Sequence, residues 1–302
     1  MNYQKKQKKV FLKKVLKVNS DLDTIKHLRE ITGAGFLDCK KALVENNNNI
    51  ETSIDYLRKK GLSKASKKVN REAKEGAIGV YANKDHSIIL KINSETDFAA
   101  KSDKFLKFMD DIGQMSLSFD EELNINNFLD KSFDNKKISE YFNEIISIIG
   151  ENILLGDLVK INHNKYNMKY YVHNPYKNNI GKIISLIIFD SDEIDENIDQ
   201  FSKNICMHIA ASKPDALDIN LLDKELVAKE KEFQIENIKS SGKPENIIEK
   251  ILEGKMKKFY SESTLLNQQY VIDPDKTVKE VINNFSKQCK FQLIDYKLIM
   301  IN

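Results

Sequence analysis

Cysteine is scarce. Cys39, Cys206 and Cys289 stand far apart, with no Cys-x-x-Cys pair and no Cys/His ligand spacing, a pattern that fits a reducing compartment. No apolar run approaches the roughly 20 residues that span a bilayer, so a soluble chain without a membrane partner is expected. Catalytic signatures are equally thin. No Gly-x-x-x-x-Gly-Lys followed by Ser or Thr occurs: Gly181-Lys182 and Gly242-Lys243 lack both the upstream glycine and the hydroxyl residue of a phosphate cradle. No His-Glu-x-x-His or Gly-x-Ser-x-Gly is present. Cys206 and His208 lie two apart beside Ile205 and Ile209, which reads as a packed helix face rather than a metal site. The expectation is a protein that is not an enzyme and needs no metal or cofactor.

Charge of one sign is also lacking overall. Lys plus Arg total 48 against 45 for Asp plus Glu, and the formal net charge of +3 is too small to imply a nucleic-acid partner without local clusters. Hydrophobic residues make up 41% and charged residues 31%, the balance of a folded chain with a well-solvated surface. At 302 residues, two or three modules are expected. Residues 1–18 contain many lysines and no acid, with Val10, Phe11, Leu12, Val15 and Leu16 as an apolar side. Targeting peptides favour Arg and Ser, both missing there, so a basic tail is preferred to an organellar signal, which would place the protein in an organelle matrix instead of the cytoplasm. Asn46 to Asn49 reads as compositional drift.

Apolar periodicity predicts three short helices between Thr24 and Lys60, carried by Ile25, Leu28 and Ile31, by Phe36, Leu37, Ala42 and Leu43, and by Ile50, Ile54 and Leu57, with Gly61 as a C-cap. Residues 62–75 are polar and basic and read as a connector without the aromatics that stack bases. GAIGVYAN and SIILKIN then predict an antiparallel hairpin turning at Lys84-Asp85-His86. After Ser94 to Asp97 comes a helix with Phe105, Phe108 or Met109, Ile112 and Met115 inward, and another helix covers Lys136 to Ile149. Strands follow at Met168–His173 and Ile180–Phe189, then a helix through Ile198, Phe201, Ile205 and Ile209. A helical hairpin spans 222–260, its seam marked by Leu222, Leu226 and Phe233 on one arm and Ile248, Leu252, Met256 and Phe259 on the other, turning at Ser240 to Pro244. Thr277 and Glu280 form a capping-box pattern, and FQLIDYKLIMI reads as a final strand.

Two stretches about sixty residues apart, TGAGFLDCKKAL at Thr32 to Leu43 and SETDFAAKSDKF at Ser94 to Phe105, resemble translation elongation factor Ts. The resemblance continues through IGENI at Ile149 to Ile153, CMHIAASKP at Cys206 to Pro214 and SGKPENIIEKILEGKMKKF at Ser241 to Phe259. It implies an α+β chain: a Lys-rich extension at 1–20, an N-terminal three-helix ubiquitin-associated-like bundle at 21–61, a basic linker at 62–75, and two α+β core subdomains with small antiparallel sheets at 76–165 and 166–302. A projecting antiparallel coiled-coil hairpin at about 215–267 belongs to the second. The implied partner is elongation factor Tu, in its GDP-bound and nucleotide-free forms, with no direct nucleic acid.

By the same resemblance, Phe98 inserts between helices of the partner's GTP-binding domain while Thr96, Asp97 and Ala99 shape the wedge, disturbing the partner's Mg²⁺ site and phosphate loop. Residues alone point elsewhere, to Phe98 as a core anchor and Asp97 as a helix N-terminal acid. Phe36, Leu37 and Lys40 are implied docking residues, although the first two also suit the bundle core. His173, followed by an insertion-like NPYKNN, is implied to meet the partner's third domain. The hairpin is implied to support a homodimer or a ribosome contact. The chain stops at Asn302 with no room for the C-terminal helix frequent in the family. Two rivals stand beside this reading. An RNA- or ribosome-binding accessory protein would use the tail and the basic connector with Lys64, Lys67 and Lys68. An adaptor would bind a peptide or ubiquitin-like partner through 21–61.

Overall fold

The computed structural model describes residues 22–301 apart from 33, 67, 69, 164, 193 and 240–244. The Lys-rich extension and the Ser240 to Pro244 turn therefore lie outside the described residues. The chain divides into two compact units, one of residues 1–76 and 90–159 with residue 302, the other of 77–89 and 160–301.

In the first unit, α1 (residues 22–32), α2 (Phe36–Glu45) and α3 (Ile50–Ser66) surround a small core of Ile25, Leu28, Cys39, Ala42, Leu43 and Leu57. The inward face of α2 is thus Cys39, Ala42 and Leu43. Phe36 and Leu37, which suit either that core or an interface, stand 38% and 78% exposed, and Ile31 is exposed on α1. Asn47 and Asn48 adopt left-handed φ values of 52° and 59° between α2 and α3, a conformation asparagine tolerates better than most residues. The Asn run is therefore a built turn.

α3 does not end at Gly61, as the sequence predicts, but continues to Ser66. The reason is packing against α7 (Ile138–Ile149): a Cβ on Gly61 would meet Ser147 Oγ at 2.9 Å, so the absent side chain permits a close crossing. Arg58 Nε and Glu144 Oε1, 3.2 Å apart, pair across the same crossing.

β1 (Glu75–Ala82) and β2 (His86–Ser94) form the expected hairpin, and the boundary between units crosses both strands. Gly76 has φ +144°, and a Cβ there would lie 2.2 Å from the Ile92 carbonyl oxygen, so only glycine fits. Beyond β2 come α4 (Asp97–Ala100), α5 (Asp103–Leu117), α6 (Ile125–Phe128), a small β3 (Ser132–Phe133) and β4 (Lys136–Lys137) ribbon, then α7 and β5 (Ile153–Asn162), which pairs with β2. α5 buries Phe105, Phe108, Met109 and Ile112, and Phe108 meets Phe142 of α7 edge to face with ring centres 5.0 Å apart.

The second unit is organised around β7 (Ile180–Asp190), which pairs antiparallel with β6 (Asn167–Lys177), with β10 (Gln292–Met300) and, near Gly181, with β1. β7 is buried at Ile180, Ile184, Leu186, Ile187 and Phe189, the near-continuous apolar run of a strand covered on both faces. β6 does not stop at His173. It continues with a bulge to Lys177, Asn174 having φ 51°, so NPYKNN extends a strand rather than inserting a loop.

α8 (Glu196–Ser212), β8 (Gln269–Tyr270), β9 (Asp273–Thr277) and α11 (Val278–Phe285) complete this core. Phe201 stacks on Phe285 at 3.8 Å, and Phe189 on Phe291 at 4.9 Å. The capping box of Thr277 and Glu280 is present. The hairpin of α9 (Lys224–Lys239) and α10 (Glu245–Ser263) forms as predicted, with Leu222 and the α10 positions Ile248, Leu252, Met256 and Phe259 sheltered as expected, but the α9 side of the seam differs. Ile238 and Met256 are buried and Lys255 Nζ donates to Gln234 Oε1 at 2.7 Å, whereas Leu226 and Phe233 point outward. The sheltered positions described in α9 are Val227, Glu230, Gln234, Ile235 and Ile238, and polar side chains occupy two of the five.

Candidate functional site

The SETDF crossing is a single capped turn. Thr96 is extended, with φ −128° and ψ 156°, and its Oγ1 accepts the Ala99 N–H at 3.2 Å, so it N-caps α4. Ser94 Oγ donates to the Thr96 carbonyl at 2.8 Å, and Ser102 Oγ accepts the Phe105 N–H at 3.3 Å, capping α5 immediately afterwards. Two caps in seven residues leave α4 no room to lengthen. Ala99 and Ala100 turn inward and are buried, and their small side chains seat the turn against the body of the unit.

Phe98 faces the other way and is 83% exposed. It is not a core anchor. Asp97 opens α4 and its Oδ2 lies 2.9 Å from Lys101 Nζ, an exposed pair one turn apart that contributes only a few tenths of a kcal/mol in isolated helices. The two residue-level expectations therefore separate: Asp97 does occupy the helix start, while Phe98 is displayed to solvent.

The turn is fastened from behind by the segment joining α7 to β5. Gly150, at φ +89°, ends α7 in the left-handed cap that glycine favours. Glu151 follows and aims its carboxylate at Thr96, accepting the backbone N–H on Oε2 at 2.9 Å and the hydroxyl on Oε1 at 2.7 Å. In return, Glu95 Oε1 accepts the Asn152 N–H at 2.6 Å. Arg71 joins in, its Nη1 donating to Glu95 Oε2 at 3.4 Å while its carbonyl accepts from Asn152 Nδ2 at 2.8 Å. Lys68 Nζ donates to the Gly150 carbonyl. Glu95, Glu151, Asn152 and Arg71 were not singled out by sequence reasoning, although Glu95 and the Glu151-Asn152 pair sit inside SETDF and IGENI.

Burial pushes the Cys206 thiol far up and the Cys39 thiol up, which disfavours a thiolate nucleophile at either. His208 is buried with Nδ1 accepting the Val271 N–H at 3.2 Å, so Nε2 carries the proton and donates to Gln268 Oε1 at 3.0 Å. Cys206 and His208 are thus a packed helix face. Among the described residues, no group of three or more His, Cys, Asp or Glu side chains could hold a metal, and no helix is long and apolar enough to cross a membrane.

A family model described as Elongation factor TS matches residues 95–299. The chain is 35% identical over 285 residues to Elongation factor Ts of Ehrlichia ruminantium (strain Gardel), covering 93% of this chain and 99% of that protein. This chain belongs to the elongation factor Ts family. It is also 38% identical to Elongation factor Ts of Rickettsia massiliae (strain Mtu5) over 272 residues, 90% of this chain and 87% of that protein. With Elongation factor Ts of Brucella anthropi it shares 38% over 263 residues, 87% and 86% of the two chains.

The other positions implied by resemblance to elongation factor Ts are spread over the fold. Phe36, Leu37 and Lys40 lie together on the exposed side of α2. His173 sits on β6 opposite Ile183, its Nδ1 3.2 Å from the Tyr171 hydroxyl. Thr96 and Ala99 serve the frame of the turn, Thr96 through its hydrogen bonds and Ala99 through burial.

Proposed function

We propose that this protein is a guanine nucleotide exchange factor for elongation factor Tu, acting in cytoplasmic translation elongation, with Phe98 as the group that enters the partner. The observation that carries the reading is an aromatic ring 83% exposed on a doubly capped turn inside the family's matched segment. Covering so exposed a phenyl ring with a partner's apolar surface is favourable. Asp97 and Phe98 meet the partner's nucleotide domain, and Thr96 and Ala99 fix the shape of the turn that presents them. Phe36, Leu37 and Lys40 of α2 give a second contact, and His173 a third.

The mechanism is displacement. A nucleotide held by Mg²⁺ and by backbone amides depends on tight geometry at those ligands, so a ring pressed between neighbouring helices weakens GDP without any covalent step. Binding GDP and binding this factor oppose each other by the same free energy, which is why incoming GTP releases the factor. The test is rapid-mixing release of labelled GDP from elongation factor Tu. Phe98→Ala and Asp97→Ala both slow the accelerated release; an unchanged rate in both variants sinks the wedge.

A further inference from the structure

The reciprocal carboxylate bonds behind the turn raise a question that exposure of Phe98 does not answer: what keeps a four-residue helix in one orientation. A helix this short is unstable alone, because nucleation costs more than its few bonds return. Its internal support is the Thr96 cap and the burial of Ala99 and Ala100. Ser94 Oγ on the Thr96 carbonyl and Arg71 on Glu95 add to this, and the remaining bonds at its start come from Glu151 and Asn152. We infer that Glu151 is a positioning residue for the exchange wedge, locking the start of α4 through Thr96 so that Phe98 points in one direction before the partner arrives.

Three features of the geometry support this role over general structural support. Both Glu151 oxygens are spent on one residue, Thr96, which lies two positions before Phe98. The Thr96 hydroxyl proton goes to Glu151, which leaves the oxygen's lone pair for the Ala99 N–H, so the latch also orients the cap. Bonds to an ionised acceptor are about twice as strong as neutral ones, and two of them from one carboxylate fix direction as well as distance. The return bond from Asn152 N–H to Glu95 makes the fastening two-way, so the crossing is held on both sides of the Glu95–Thr96 peptide. Orientation fixed in advance lowers the ordering cost that binding would otherwise carry.

The inference rests on the exchange reading, since a positioning role has meaning only if Phe98 acts. Its test is the saturating rate of labelled-GDP release from elongation factor Tu, measured with the full chain carrying Glu151→Ala, Thr96→Val, Thr96→Ser, Phe98→Ala, or Glu151→Ala with Phe98→Ala. Glu151→Ala and Thr96→Val each lower that rate about tenfold, the scale of one hydrogen bond to a charged group. Thr96→Ser keeps the hydroxyl and keeps most of the rate. In the Phe98→Ala background, Glu151→Ala has almost no further effect, because there is no ring left to aim.

An equal loss in both backgrounds overturns the inference, and so does a full rate in folded Glu151→Ala. If Glu151→Ala does not fold, Thr96→Val and Thr96→Ser decide: equal rates for those two overturn the latch. A full rate for Phe98→Ala removes the wedge reading and this inference with it. A loss there without one in Glu151→Ala removes only the latch.

Discussion

Replacing Phe98 by alanine removes a side chain that does no work in the isolated fold. Complete burial of a phenylalanine side chain yields about 1.5–3 kcal/mol. With the ring 83% exposed, most of that free energy is still available to an interface, about 1.2–2.5 kcal/mol, equivalent to about eight- to seventyfold in a rate or affinity. The same number bounds the damage to the free protein: a substitution at so exposed a site shifts unfolding stability by no more than about 0.5 kcal/mol. The assay pairs stopped-flow release of labelled GDP from elongation factor Tu with urea unfolding of the variant alone. Slower release with an unchanged unfolding midpoint is the expected pair of results. Should the variant lose stability and exchange in parallel, the ring is a structural element and the displacement argument is wrong.

Gly76→Ala places a Cβ against the Ile92 carbonyl and forces a residue with a side chain to φ +144°, so the β1–β2 hairpin loses about 2 kcal/mol or more, read by thermal melting. Gly61→Leu drives α3 away from Ser147 and costs about 1–3 kcal/mol in chemical denaturation, with Ser147→Gly in the same chain recovering part of the loss. Burial holds the pKa of His208 below its ordinary value, and Nδ1 cannot take a proton without losing the Val271 N–H. The unfolded chain binds that proton below about pH 6.5 and the folded one resists it, so stability falls on acidification through this range by up to about 1.4 kcal/mol per pH unit per such histidine. His163, also lowered by burial, adds in the same direction, and His208→Gln removes one proton from the slope measured by urea unfolding between about pH 5 and 7.

How much of this could be read from the sequence varied with the physics behind each element. α5 was legible because Phe105, Phe108, Met109 and Ile112 obey helical period and all point inward. The Thr277 and Glu280 capping box was legible because its chemistry is local. α2 left the placement of Phe36 and Leu37 open, because hydrophobicity alone does not distinguish a core face from an exposed one, and the structure puts both outside. The seam of α9 misled, since Glu230 and Gln234 occupy sheltered positions that a search for apolar residues passes over. β5 was missed because its buried positions do not alternate regularly. The exposure of Phe98 was not legible from the residues alone, which point to a core anchor because an isolated aromatic beside a helix start carries no mark of which way it faces. The latch was invisible for a different reason: Thr96 and Glu151 are 55 positions apart, and no periodic pattern links them.

The pairing of β7 with β10 has a consequence for synthesis on the ribosome. β7 ends at Asp190 and its neighbour begins at Gln292, so at roughly 5–20 residues per second the stretch from 183 to 190 waits about 5–20 s for the strand that covers it. During that interval the nascent chain displays an unpaired, isoleucine-rich edge, the kind of surface that recruits other copies. Premature termination before residue 292 makes the interval permanent, and such fragments should accumulate as aggregates rather than as soluble partial folds.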